Sequence, residues 1–178
     1  MAVIIGWDPE RGPHWLPLFR SAAAAIETDG RGTTPWPATV ETRLTSGVRV
    51  HLMLQGAERG IVGIGTVRSA PFLSFTGPQH GPLSPHVMIS WRALLPDNER
   101  IGTAELLARV PDVDWDRLYT PELQLAASTA HRLERVWLAP HPSAGAGSAR
   151  RVASRRLDER IVTDRLDHAR LSRSAAAL

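Results

Sequence analysis

Residues 48–67 constrain the fold most. Val48 to Leu54 is an alternating run rich in β-forming residues, and Gly60 to Val67 (GIVGIGTV) is a second. Only Gln55 to Arg59 separates them, so the two runs read as an antiparallel hairpin. A single hairpin is not stable alone; it needs further strands beside it and cover on its faces. Ala2 to Gly6 and His86 to Leu95 are the other β-forming runs, the second with Val87, Ile89 and Trp91 on one face. The glycines of GIVGIGTV imply a bend, a bulge or close approach by another backbone.

Helical patterns lie between these runs. His14 to Ile26 places Trp15, Leu18, Phe19, Ala22 and Ile26 at helical spacing, with Pro17 in the first turn. Thr103 to Val110 reads as a short helix capped by Thr103. Thr120 to Trp137 reads as a longer one, with Leu123, Ala127, Ala130 and Leu133 as its stripe. Thr28 to Pro37 and Pro71 to Pro85 read as Gly/Pro loops, the first carrying Trp36 and the second Phe72 and Phe75. The expected class is α+β. Residues 1–138 form the domain, 139–148 a Pro/Gly/Ala linker, and 149–178 a basic, weakly amphipathic helical tail.

Charge follows that division. Every one of the 21 basic residues is arginine. Residues 1–148 hold 13 arginines against 14 acids, while residues 149–178 hold 8 against 4. The pI of 10.8 therefore describes the tail, and the body is not a broad cationic surface. The absence of cysteine excludes disulfides, thiolate metal sites and a cysteine nucleophile. No signal peptide or membrane-length apolar run is recognisable, so a cytoplasmic protein without a membrane partner is expected.

Catalytic and cofactor motifs are missing. GIVGIGTV lacks the Gly-Lys-Ser/Thr ending of a phosphate loop, and no G-x-S-x-G elbow occurs. The seven histidines are scattered; His80 and His86 read as exposed loop residues rather than metal ligands. Asp112, Asp114 and Asp116 read as a solvated acidic turn. The expectation is a non-enzymatic protein without metal or cofactor.

Several segments together resemble a known family. They are the Gly6-Trp7-Asp8-Pro9 end of the first strand, Pro35-Trp36-Pro37, Arg43-Leu44, Gly47-Val48-Arg49-Val50-His51-Leu52, Gln55-Gly56, and Arg59-Gly60-Ile61-Val62-Gly63-Ile64-Gly65-Thr66-Val67. Trp115 and a last helix ending at Trp137 complete the series. In this order they resemble the bacterial EVE-like domains of the PUA-like superfamily, relatives of the YTH readers of methylated adenine. The resemblance covers roughly residues 3–137. It implies a PUA-like β-barrel or strongly curved mixed sheet with flanking helices, and a pocket that receives a flipped-out modified base. It also implies a setting in modification-dependent restriction, where such domains often precede an HNH nuclease. Pro37, Val48, Leu54 and Leu118-Tyr119-Thr120-Pro121 depart from the family pattern, which points to altered base selectivity or a pocket out of use.

Candidate site residues follow. Trp36 in a Gly/Pro loop either walls a pocket or plugs the core, and the family places an aromatic wall there. Phe72 and Phe75 stand where the family has its other wall. Trp7 is a base contact or a core lid; Trp15, Trp91 and Trp137 read as core. Asp8, when ionised, only accepts hydrogen bonds, which suits the N4 amino group of a cytosine-type base; its ordinary role would be to cap the turn. Arg43 and Arg49 are candidate phosphate contacts, with surface ion pairing as the alternative. Arg150, Arg151, Arg155 and Arg156 in the tail are further phosphate candidates, giving salt-sensitive affinity. The expected function is a reader of 5-methyl- or 5-hydroxymethylcytosine in DNA by base flipping, with any nuclease activity supplied by a partner. An adaptor with a degenerate pocket, self-associating through the tail helix, and a reader of modified RNA are the alternatives.

Overall fold

The structure is a computed structural model that describes residues 1–12, 15–39, 42–75 and 82–139. At its centre β1 (Ala2–Trp7) runs parallel to β3 (Arg49–Leu54), in register from Ala2 opposite Arg49 to Trp7 opposite Leu54. β3 forms the expected hairpin with β4 (Gly60–Val67), and β4 in turn pairs with β6 (Leu83–Leu94). β2 (Gly32–Pro37) flanks β6 at one end of the sheet, and β8 (Glu122–Leu125) flanks β1 at the other. Two short strands join the sides: β5 (Phe72–Phe75) pairs with the start of β6, and β7 (Ile101–Gly102) with the start of β4. Among the described residues, all eight strands belong to one mixed sheet, in which β2 and β8 do not meet. Extra residues in the ladders, Val62 in β4 and Arg92 in β6, bulge these two strands. A bulge bends and twists its strand, so the sheet curls without closing.

Side chains alternate across this sheet. Val3, Ile5 and Trp7, Val50, Leu52 and Leu54, and Val87, Ile89 and Trp91 form one apolar cluster. The helix α1 (Leu16–Asp29) packs its Phe19, Ala22 and Ile26 against it. Ile4, His51 and Met53 point the other way and are also buried. Two helices, α2 (Thr103–Arg109) and α3 (Ala127–Leu138), contribute Leu106, Leu133, Val136 and Trp137 to the buried set. Arg49, on the same side of β3 as His51, pairs with Glu134 of α3, which ties that helix to this face.

The glycines of β4 are where backbone approach demands them. A Cβ at Gly65 would lie 2.8 Å from the Ser90 carbonyl oxygen and 2.9 Å from Trp91. Gly30 has a different role. It ends α1 in the left-handed region, φ 73°, and its amide donates to the Ile26 carbonyl at 2.9 Å. Gly30→Ala should therefore lower stability by about 1 kcal/mol, read as a small drop in urea midpoint at unchanged slope.

Several expectations need correction. Residues 28–37 are not a loop: α1 extends to Asp29, and Gly32–Pro37 is a strand. β2 escapes pattern reading because it contains Pro35 and Pro37, residues tolerated in a strand only at a sheet edge. The supposed 71–85 loop contains β5 and the start of β6. Residues 120–137 are not one helix but β8 followed by α3. The outer edge of β1 has backbone groups to satisfy. The Gly6 amide donates to the Pro121 carbonyl at 3.0 Å, and Glu122–Leu125 continue as its partner strand. Thr103 does not cap α2; Gly102 holds the cap position, without a side-chain bond. Asp112 is not simply solvated: it accepts from the Thr129 hydroxyl at 2.9 Å and pairs with Arg132. His86 is buried on β6, with Nδ1 2.9 Å from the Ser84 carbonyl oxygen. His80, most of the linker and the tail lie outside the described residues. Among the described residues, no helix is long and apolar enough to cross a membrane.

Candidate functional site

Three strand ends and one loop converge on a cavity of about 300 Å³. β1 ends in Trp7-Asp8, β3 runs into Gln55, and β2 ends in Trp36-Pro37; Tyr119 and Pro121 close the ring. The parallel pairing of β1 and β3 is what brings Asp8 and Gln55 together. It continues one step past the strands, where the Gln55 amide donates to the Trp7 carbonyl at 2.7 Å.

Aromatic side chains make the walls. Trp15 stands edge-on to both Trp7 and Trp36, each at a centroid distance of 4.8 Å. Phe19 backs Trp7 at 5.3 Å and Trp91 backs Trp15 at 6.1 Å. These pairings fix the ring orientations, since edge-to-face contacts favour one geometry. Trp7 Nε1 donates to the Gly12 carbonyl at 3.1 Å and Trp15 Nε1 to the Pro35 carbonyl at 3.4 Å, so both indole donors are committed.

The polar lining consists of Asp8, Arg11, Gln55 and Tyr119. Asp8 Oδ1 accepts from the Glu10 amide at 3.0 Å, and Oδ2 lies 3.5 Å from Arg11 Nε. The first contact makes Asp8 the turn cap that the sequence admits; its second oxygen also faces an arginine on the cavity rim. Gln55 Nε2 donates to the Leu118 carbonyl at 3.3 Å and to the Thr120 carbonyl at 3.2 Å. With its NH₂ group committed to the loop, its oxygen is the atom with remaining capacity. Arg59 secures the same loop by donating to the Trp115 and Leu118 carbonyls, at 3.1 and 2.7 Å, and its guanidinium lies 4.2 Å from the Tyr119 ring centroid. Tyr119, 67% exposed, is thus held at the cavity rim by a cation–π contact.

Of the candidate base contacts, Trp7, Asp8 and Trp36 line this one cavity. Phe72 and Phe75 do not; they sit on the exposed strand β5, with Phe72 against His86. Trp7 and Trp36 retain only 7% and 8% exposure and also belong to the core cluster. Pocket wall and core plug are therefore both true of Trp36. Trp15, assigned to the core, lines the cavity as well.

The two body arginines are engaged elsewhere. Arg49 lies at the opposite end of β3 from Gln55 and pairs with Glu134. The Arg43 amide donates to Glu122 Oε1 at 2.9 Å, and its guanidinium bonds Gln124. Neither lines the cavity. Arg11, not singled out in the sequence, is the arginine on its rim. Arg150, Arg151, Arg155 and Arg156 lie outside the described residues. Gln55 and Tyr119 are the other lining residues that sequence reasoning missed. Tyr119 is the chain's one tyrosine and stands in the 118–121 segment that departs from the family pattern, a signal available without the structure.

No protein-family model matches the chain, and no curated protein matches it in sequence. Two solved structures similar to it are mutant forms of ZmASCH from Zymomonas mobilis. One has 12% identity and a TM-score of 0.44, covering 76% of this chain and 95% of that chain. The other has 8% identity and a TM-score of 0.43, covering 76% and 97%.

Proposed function

We propose that this is a PUA-like, EVE-type domain that binds nucleic acid by taking one unstacked base into the tryptophan cavity. The observation that carries the reading is the convergence of Trp7, Trp15, Trp36 and Tyr119 around the acceptors Asp8 and Gln55 in a cavity of about 300 Å³. Aromatic walls supply the contacts that offset the few kcal/mol of lost stacking. Acceptor atoms select a base edge that donates, which the N4 amino group of cytosine does. The segments resembling EVE-like domains favour a modified cytosine in DNA over RNA, and binding over catalysis, with any nuclease acting in trans.

The burial of Trp7 and Trp36 favours a second reading, in which the tryptophans only seal the core and the chain is an adaptor.

Tryptophan fluorescence separates the two. Oligonucleotides carrying cytosine, 5-methylcytosine or 5-hydroxymethylcytosine, as DNA and as RNA, are titrated into the full chain. Quenching by one modified probe is expected. Stacking on an aromatic side chain contributes about 1–3 kcal/mol, so Trp36→Ala should weaken that binding roughly 10- to 100-fold. Asp8→Ala should lower affinity for the modified cytosine probe, whose N4 amino group loses its acceptor; unchanged affinity would mean that Asp8 only caps the turn. Equal response to every probe in the wild type leaves the adaptor reading.

A further inference from the structure

The β5–β6 ribbon carries an apolar surface that the core does not use. Cross-strand register places Leu73 opposite Pro85 and Phe75 opposite Leu83, so these four side chains share one face. Leu73 is 67% exposed, Phe75 51% and Leu83 55%. In β6, Leu83 and Pro85 alternate in phase with Val87, Ile89 and Trp91, so they lie on the side of the sheet that holds the tryptophan cluster. The cavity wall Trp36 is paired with Val87, and its neighbour Pro37 with His86. Pro85 is two residues along β6 from Val87, a distance of about 7 Å in a strand. The apolar shelf therefore starts beside the cavity and continues away from it on the same face.

We infer that this shelf is a wedge for duplex nucleic acid, filling the gap left in the base stack when a base enters the cavity. The inference rests on the base-binding reading above. Extracting a base from a duplex breaks its pairing and two stacking contacts, and leaves the opposite base facing a void. Phe, Leu and Pro side chains are suited to enter between base steps, because they present apolar surface without donors or acceptors to desolvate. Pro85 lies on β6, the strand paired with the cavity-wall strand β2, so the shelf adjoins that wall. A second copy of the chain fits less well. Three side chains exposed to this degree offer on the order of 300 Å², against the roughly 800 Å² per partner of a stable protein interface.

Single strands provide the contrast, since an unpaired strand has no gap to fill. The probes are a DNA duplex with one central 5-methylcytosine and the same modified strand alone, titrated into the full chain. The exposed double substitution Leu73→Ser, Leu83→Ser should lower duplex affinity about tenfold and leave single-strand affinity within about twofold. The retained single-strand binding shows that the variant is folded. Trp36→Ala should weaken both. The wedge is overturned if the double variant binds duplex as the wild type does, if it loses both probes equally, or if gel filtration shows that the substitutions convert a dimer to a monomer. A wild type that binds neither probe overturns the base-binding reading and the wedge with it. A wild type that binds both, with a double variant unchanged on duplex, overturns the wedge alone.

Discussion

Gly6→Ala should open the cavity rim and destabilise the domain by roughly 3–5 kcal/mol. A Cβ at Gly6 would lie 2.1 Å from Gln55 Nε2 and 2.8 Å from the Thr120 carbonyl oxygen. The side-chain amide can swing aside, but it then gives up both of its own bonds to the 118–120 loop. The carbonyl belongs to the backbone that leads into β8, so it moves only with the strand. Overpacking of this kind costs about 1–3 kcal/mol, and each lost hydrogen bond about 1 more. A double-mutant cycle identifies the mechanism. Gln55→Ala removes the atom in the way, so Gly6→Ala should cost at least 1 kcal/mol less in that background, a coupling expected of residues in contact. Urea unfolding of the four proteins measures this. Strictly additive costs would mean that the Gly6–Gln55 contact does not order the rim.

The same contact explains which parts of the site were legible from sequence. Trp7, Asp8 and Trp36 stand at strand ends or beside prolines, where a large aromatic or an acid is conspicuous. Gln55 and Tyr119 gain their roles only through pairing between distant segments. Gln55 reaches Asp8 because β1 and β3 run parallel, and Tyr119 arrives because β8 completes the edge of β1. The misread strands have the same cause. β8 reads ELQL, and its leucines continue the helical spacing of α3, so local pattern cannot separate the two; the exposed backbone of β1 does. β2 carries two prolines and becomes a strand because it lies at an edge. By contrast, β3 and β4 alternate cleanly and are joined by a short turn, so the hairpin was visible at once. The family resemblance places Phe72 and Phe75 at the cavity. Their strand pairs with the start of β6 on the side opposite β2, so Phe75 stands on the ribbon's exposed apolar face instead.

His51→Leu should make the domain resistant to acid. The His51 side chain is fully buried in β3, and neither imidazole nitrogen has a hydrogen-bond partner among the described residues. Burial, with Arg49 and Arg92 close by, lowers its pKa from 6.5 to about 3. Desolvation penalises the cation, and two neighbouring positive charges add to that penalty. The folded protein therefore keeps this histidine neutral, while the unfolded chain takes up a proton below about pH 6.5. Stability from this residue is fully present above pH 6.5 and is lost as pH falls towards 3, by about 1.4 kcal/mol per pH unit. At pH 4.5 the loss is on the order of 2–3 kcal/mol, a large share of the 5–15 kcal/mol typical of a domain. Leucine fills similar space and neither titrates nor buries unpaired nitrogens. The variant should match or exceed the wild type in urea at pH 7.5, and lead by about 2–3 kcal/mol more at pH 4.5. If the two proteins lose stability in parallel between those pH values, His51 already holds a proton or a polar partner in the folded state. The buried-neutral account of this face of the sheet would then fail.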